Sequence, residues 1–529
     1  VTKAPRAGAS SLWRPLATPT FRNLLIADVV SDVGTFMQSV GAAWLMISLN
    51  AGPMYVALTQ TAATLPFFVL ALPAGSVGDI VDRRKLVLAT ETWMVTVAAI
   101  LAAVTFAGAM TPWLLLALTF ALSAGDAFET PTWRAILPEL VRREDLPAAS
   151  ALNGIEFNIA RAVGPALAGF LVAAAGVGAA FLVNVLSFAG VIAVVFRWKR
   201  APRTRSTPPE TLAGATVAAI RFVRFSPSIR ALMVRSGIVL FFACGLLALL
   251  PEVAKSVSGS AIGYGALLGC FGAGAIGGAL AMQQARARWS AEAVISSSVV
   301  VLGAAIVGAS AVHRIVALGV LMLVAGGAWI IVISLASGIL QALAPDWVRA
   351  RVVAVYMLVS QGAMAAGSLV WGIVAARVDV STALLWTGAG TVASASLGFF
   401  IRMPDASADV SPWNHWRVPA IPADAHAESN SGPVLVTIEY VVDAERAGAF
   451  VEAMHAFGRV RRRDGASRWA IYRDIERPDH YLETFVVGSW DEHLRQHDRL
   501  THADEVLEQR IKPFLRGSPS VRHLIAPRG

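Results

Sequence analysis

Twelve apolar stretches, each near the length needed to cross a bilayer, constrain this chain more than any other feature. Asp28 to Leu49, Trp93 to Ala109, Ala179 to Phe196 and Val294 to Val312 are the clearest of them. About 20 residues at 1.5 Å each span a hydrocarbon layer of roughly 30 Å. Runs of about 10–14 residues would suit core helices of a soluble protein; these are longer and recur over most of the sequence. Spans are expected near 21–49, 55–79, 86–108, 112–136, 148–174, 178–197, 228–250, 262–284, 291–311, 314–338, 352–376 and 381–402. Only 15% of the residues are charged, against about 25% in a soluble domain, which argues against a large soluble helical protein.

The first span follows Lys3, Arg6, Arg14 and Arg22. No small-residue cleavage site follows it, and it contains Asp28 and Asp32, so an uncleaved helix is expected rather than a signal peptide. One set of loops is basic: Arg83, Arg84 and Lys85; Arg142 and Arg143; Lys199, Arg200, Arg203 and Arg205; Arg286 and Arg288; Arg349 and Arg351. The opposite loops carry only Lys255, Arg314 and Arg377. Basic loops stay on the cytoplasmic side, which would put both termini there, in a bacterial cell (inner) membrane. The net charge of +9 is then loop bias and calls for no nucleic-acid partner. Cys244 and Cys270 both lie inside spans, so no disulfide framework is implied.

Landmarks recur at one offset: Gly75 and Gly278, Arg83 and Arg286, Gly164 and Gly367, Gly169 and Gly372. Each pair is expected at corresponding places in two parallel six-helix repeats, an architecture typical of one large transporter class. The implied organisation is a cytoplasmic segment 1–20, a first half 21–197, a cytoplasmic linker 198–227, a second half 228–402, a linker 403–432 rich in Pro, Ala, Ser and Asp, and a soluble domain 433–529. Within that domain, strands are expected at Pro433–Val442, Arg468–Asp474 and Tyr481–Gly488, and helices at Ala444–Val460 and Thr501–Leu515. That β-α-β-β-α order suggests a small ferredoxin-like α+β fold. The fold class is thus an all-α membrane protein carrying a cytoplasmic α+β domain.

Gly75-Ser-Val-Gly-Asp79-Ile-Val-Asp82-Arg83-Arg84-Lys85 resembles the loop 2–3 signature of the major facilitator superfamily, G-x-x-x-D-R-x-G-R-R/K. Gly75, Asp79, Arg83 and Arg84 match, while Ile80 and Asp82 replace an Arg and a Gly. The Asp-Arg-Arg ending, Ala127-Phe-Glu129-Thr-Pro131, Leu137-Pro-Glu139-Leu140 and Asn158-Ile-Ala-Arg161-Ala-Val-Gly164-Pro165 look like the transmembrane secretion effector type, the branch containing the bacterial enterobactin exporter. The resemblance covers about 12–402. It implies a conformational latch at Gly75, Asp79, Asp82, Arg83 and Arg84, although the same cations also suffice to set topology. In the second half Met282 replaces the acid, so a latch there is expected to be weaker. Gly164-Pro165-Ala-Leu-Ala-Gly169 resembles the antiporter motif G-P-x-x-G-G, which implies export rather than import; an ordinary packing face is the alternative. The Gly-rich run Gly265, Gly269, Gly274 and Gly278 lies inside a span and is read as packing.

Ionisable groups within the bilayer are costly and mark function. From the first span's start Asp28 lies about 10 Å deep and Asp32 about 16 Å, on one helix face; Arg161 lies roughly 20 Å into the fifth span. Asp32 is the first candidate for exchanging a proton against substrate, with Asp28 or Glu129 next; Asp126, Glu156 and Arg161 complete the candidate network. A static ion pair such as Asp32–Arg161 would use the same residues. Expected partners are a small organic molecule (a siderophore, antibiotic or similar hydrophobic metabolite), protons and the bilayer, with no cofactor and no metal. The tail resembles antibiotic-biosynthesis monooxygenase-like domains around His493-Leu-Arg-Gln-His497. His493, His497 and His502 are read as a solvated helix face rather than metal ligands, and the tail as a regulatory or dimerising module rather than an enzyme.

Overall fold

A computed structural model describes residues 12–198, 212–402, 409–413 and 432–525. Long helices fill the chain up to Arg402. The first half holds α1 (Pro19–Ser48), α2 (Pro53–Ile80), α3 (Arg83–Phe106), α4 (Pro112–Leu140), α5 (Leu146–Ala175) and α6 (Val177–Arg197). After α7 (Leu212–Phe225) the second half holds α8 (Pro227–Ser258), α9 (Ala261–Arg288), α10 (Ala291–Ala311), α11 (Ile315–Leu343), α12 (Arg349–Arg377) and α13 (Val380–Ser394), extended by a single turn, α14 (Leu397–Phe400). Among the described residues eleven segments are long and apolar enough to cross a membrane. The 29-residue α4, which carries Asp126 and Glu129, stands outside that set.

Local chemistry fixes the boundaries. The Asp82, Thr111, Ser260, Ser290 and Asp379 side chains each accept a backbone N–H from the first turn of the helix that follows, satisfying donors that the helix leaves open. Pro53 and Pro112 occupy first-turn positions where no N–H is needed. Gly176 breaks α5 from α6 at φ +81°, a conformation that costs glycine little.

The helix bounds correct part of the repeat. Pro19 of α1 pairs with Pro227 of α8, and Arg83 of α3 with Ala291 of α10, 208 residues on. From α4 onward the offset is 203. Helix α10 is three residues shorter than α3, and the loop after it is two residues shorter. Gly164/Gly367 and Gly169/Gly372 are therefore equivalent positions. Gly75/Gly278 and Arg83/Arg286 are not, since Arg83 opens α3 whereas Arg286 sits in the last turn of α9.

The halves meet along two helix pairs. Helix α5 lies against α9 with backbones in contact: a Cβ built on Gly265 would fall 2.5 Å from the Pro165 carbonyl oxygen and 2.9 Å from Gly169 Cα. Farther along α9, Gly274 and Gly278 press against the α11 backbone at Leu323 and Gly327. The expected packing role of this glycine run is what the helices display. Helix α2 meets α12, where Thr61 Oγ1 donates to the Ala365 carbonyl at 3.2 Å. The buried core spanning both halves draws on Met37, Val40, Ala57, Ala168, Leu249, Tyr264 and Leu384. These residues lie toward the helix ends that lead into the loops poor in Lys and Arg.

A second compact unit comprises Pro208–Met233, Ala336–Tyr356 and Met403–Gly529. Its sheet holds β1 (Val434–Val441), β2 (Ser467–Arg473), β3 (His480–Val487) and β4 (Ser520–Ile525), in the order β2-β3-β1-β4 and antiparallel throughout. Helices α15 (Ala447–Asp464), α16 (Trp490–Arg499) and α17 (His502–Gln509) complete it. Val434, Val436, Ile438 and Tyr440 alternate inward along β1 and pack with Phe450, Met454 and Phe457 of α15, the period-2 pattern of a half-buried strand. Strand β4 and helix α16 are additions to the expected order. The expected helix Thr501–Leu515 is cut short at Gln509, and the expected linker 198–227 contains α7; its polar run 199–210 lies outside the described residues.

Candidate functional site

Four helices of the first half bring six carboxyl side chains to similar depth. Counted from the ends at the basic loops, Glu91 lies about 12 Å along α3, Asp28 about 14 Å along α1, Glu156 about 15 Å along α5 and Glu129 about 16 Å along α4. Asp32 and Asp126 follow about 20 Å in. Trp133 Nε1 donates to Asp28 Oδ2 at 2.9 Å, Thr130 Oγ1 to Asp126 at 3.0 Å, and Thr90 Oγ1 to Glu129 at 3.2 Å. The Asp32 and Glu156 carboxyls are neighbours across α1 and α5, and those of Glu91 and Glu129 across α3 and α4. Two carboxylates that close repel each other unless one of them holds a proton. One oxygen each of Glu91 and Glu156 is buried without a partner.

Among the described residues no Lys, Arg or His pairs with any of the six. Arg161 points elsewhere: its guanidinium lies 5.6 Å from the centre of the Phe271 ring on α9, a cation–π contact reaching into the second half. Among the described residues the site is therefore a set of acids, not an Asp32–Arg161 pair. Glu91 was not among the expected members, although the expected span 86–108 contains it; it sits just ahead of that span's clearest apolar run, Trp93 to Ala109. Trp133 and Thr90 carry no sequence signal of their own.

At the basic-loop end, Arg83 Nη1 lies 2.7 Å from Glu139 Oε1, joining the start of α3 to the end of α4. Arg84 donates to the Val195 and Phe196 carbonyls at 3.1 and 2.6 Å, groups that the end of α6 leaves open. Asp82 caps α3 by accepting from the Lys85 N–H at 3.1 Å. The side-chain positions of Gly75 and Asp79 lie outside the described residues. Pro165 interrupts the hydrogen-bond ladder of α5. Gly164 abuts Val33 and Phe36 of α1, and Gly169 abuts Ala261 and Ile262 of α9, so the motif Gly164-Pro165…Gly169 lies on the seam between the halves.

Of the tail histidines, His502 keeps to the solvated face, its side chain 44% exposed, whereas His493 does not. His493 is 2% exposed, with its Nε2 3.0 Å from His523 Nε2 and 3.3 Å from His497 Nε2. Burial, then the neighbouring His497 and His523, push its pKa down to about 3, so it is neutral at physiological pH. His502 is bonded to Glu505 instead, at 2.8 Å. No group of three metal-ligating side chains suited to an ion is present among the described residues. Between sheet and α15, buried Glu483 accepts from Tyr440 Oη and Trp469 Nε1, both at 2.8 Å, and pairs with Arg461 at 3.3 Å. Its oxygens are occupied by the domain's own side chains.

The profile of a family described as "Transmembrane secretion effector" matches residues 10–528, which includes the tail. The staphyloferrin A transporter of Staphylococcus aureus is 26% identical over 158 residues, covering 30% of this chain and 40% of that protein. The multidrug efflux pump Tap of Mycolicibacterium fortuitum is 24% identical over 223 residues, 40% of this chain and 54% of that one. A macrolide efflux protein of Streptococcus pyogenes is 23% identical over 166 residues, 31% and 41% of the two chains. The alignments thus span about half of those relatives or less. Among solved structures, the nucleoside transporter NupG superposes with a TM-score of 0.61 at 13% identity, covering 72% of this chain and all of that one. An inward-facing bacterial homologue of the lysosomal transporter Spinster gives 0.58 at 13%, covering 74% and 96%. At such identity the likeness is one of fold.

Proposed function

We propose that this chain, which belongs to the transmembrane secretion effector family of the major facilitator superfamily, is a membrane transporter that exports a small organic molecule in exchange for protons. The observation that carries the coupling is the acid cluster. Six carboxyls at mid-membrane depth, with no cation paired to them among the described residues, cannot all be ionised, since each unpaired charge in a low dielectric costs several kcal/mol. Protons are the simplest counter-charge, and the paired carboxyls Asp32–Glu156 and Glu91–Glu129 are the natural places to hold them. Pairing across α1/α5 and α3/α4 makes proton occupancy depend on helix position. That dependence is the property alternating access requires.

Export rather than import is supported by the antiporter-like Gly164-Pro165…Gly169 on the inter-half seam and by the efflux relatives. The names of those relatives, a siderophore transporter and macrolide and multidrug pumps, support a substrate of similar size and hydrophobicity. We read α4 as a twelfth span whose low apolarity comes from Asp126 and Glu129. The loop charges support cytoplasmic termini, and the halves, packed at the opposite ends, then represent an inward-facing state. The β-α-β-β-α-β order with strand order β2-β3-β1-β4 supports a ferredoxin-like tail. The test is efflux of a panel of siderophores and macrolides from lipid vesicles with and without an imposed proton gradient. Export that persists unchanged after the gradient is collapsed would end the antiport reading.

A further inference from the structure

The second compact unit joins the soluble tail to helix ends of the second half. Helix α7 turns Ala218, Ala219 and Phe222 inward, all buried, and Arg221 Nη2 pairs with Glu492 of α16 at 3.1 Å. Glu492 also takes Arg499 at 2.7 Å. The Arg499 guanidinium lies 4.6 Å from the ring centre of Trp347, in the loop between α11 and α12. Trp347 meets Phe222 edge-on at 5.7 Å, and Arg463 covers the Phe222 ring at 5.4 Å. The two arginines are themselves fixed. Arg463 is bound by Asp464 and Asp504 at 2.8 and 2.7 Å, and Arg499 donates to the Asp464 carbonyl at 2.6 Å. An aromatic pair, Phe222 of the linker helix α7 and Trp347 of the α11–α12 loop, is thus held between two anchored cations of the tail.

The membrane-proximal parts of this unit come from α8, α11 and α12. One residue, Ser226, separates α7 from α8, and Arg349 Nε ties α12 to the end of α11 through the Gln341 and Ala344 carbonyls at 3.1 Å. Whatever holds α7 and Trp347 therefore holds three helix ends of one half. Those ends must move relative to the other half when a transporter of this architecture changes state.

We propose that the soluble domain is an autoinhibitory brace: docked on Phe222 and Trp347, it stabilises the state in which α5–α9 and α2–α12 are closed, and undocking frees the second half to leave that state. A contact made in one state and broken in the other biases the equilibrium by its own free energy. The proposal rests on the transporter fold and not on proton coupling, so its test uses neither substrate nor gradient.

The full chain is placed in lipid nanodiscs, and hydrogen exchange is followed at two places: locally at 212–225 and 490–499, and remotely at the seam, 161–172 and 261–272. The variants are Arg221→Glu, Trp347→Ala, and a triple variant adding Phe222→Ala. Undocking is expected to speed local exchange and, with it, exchange at the seam by about fivefold. The triple variant should give the largest effect. Faster local exchange with an unchanged seam would overturn the proposal, leaving a merely structural contact. A triple variant that leaves local exchange untouched would overturn it as well, because these residues would not be what holds the domain.

Discussion

The Arg83 guanidinium lies 2.7 Å from the Glu139 carboxylate, so the first residue of α3 is clasped to the last turn of α4. The family's loop motif and the Leu137-Pro-Glu139-Leu140 segment, two separate matches in sequence, are two sides of one contact. Exposure of 23% and 10% places the pair between surface bridges, worth about 0–1 kcal/mol, and buried ones, where losing one partner costs about 3–5 kcal/mol. A double-mutant cycle of Arg83→Ala and Glu139→Gln on thermal unfolding should give a coupling of about 1 kcal/mol. A latch made in only one state should also shift the transport rate in both single variants. Additive effects on stability would show that the pair is not coupled.

Asp32→Asn and Glu156→Gln should each uncouple transport from the proton gradient while leaving the protein folded in the membrane. Because the two carboxyls are neighbours that would hold one proton between them, the double variant should be no worse than either single one. Glu91→Gln tests the second pair in the same vesicle assay. Undiminished gradient-driven efflux by Asp32→Asn would remove that residue from the coupling step.

Gly265→Val should impair export more than any change on the lipid-facing side of α9. Its Cβ would meet the Pro165 carbonyl and Gly169 Cα, both main chain and unable to step aside. Forcing packed helices apart costs about 1–3 kcal/mol. The expected outcome is a protein that inserts normally, with a lowered Tm and export reduced by about tenfold or more. Gly277→Val on the same helix, where nothing lies within 4 Å, is the control.

Acid should destabilise the soluble domain through His493. Its folded-state pKa of about 3 lies below the unfolded value of about 6.5, so in between the unfolded chain takes a proton that the folded one refuses. Stability is therefore lost as pH falls from about 6.5 towards 3, by a few kcal/mol at most. Hydrogen exchange of β1 and β3 between pH 7 and 5 should report it, and His493→Leu should flatten the dependence. An unchanged slope in that variant would place the acid sensitivity elsewhere in the domain, and not at Asp464, whose carboxyl burial pushes up to about 6 and which therefore gains stability as pH falls.

The membrane helices were legible because span length and capping residues are local properties. Asp82, Ser260 and Asp379 announce helix starts by residue type alone. The tail's β1, α15, β2 and β3 were legible for the same reason. Strand β4, six residues long and mostly exposed, carries too little alternation to stand out, and its place is set by pairing with β1. The repeat was misregistered because glycines and arginines are common enough to align at a shifted offset, and only helix ends reveal the five-residue difference. Glu91 and the burial of His493 depend on which helices or strands neighbour them, information that no window along the chain contains. Arg161 was expected at the right depth, but depth does not fix the direction of a helical side chain.

At Pro165, Gly169 and Gly265 the two halves touch through main chain rather than interlocking side chains. At those three positions there are no rotamers to re-sort as the helices part, unlike the flanking contacts such as Arg161 on Phe271. The joint there behaves as a plain bearing between two smooth rods. At that place the attraction lost on parting is dispersion between the two backbones.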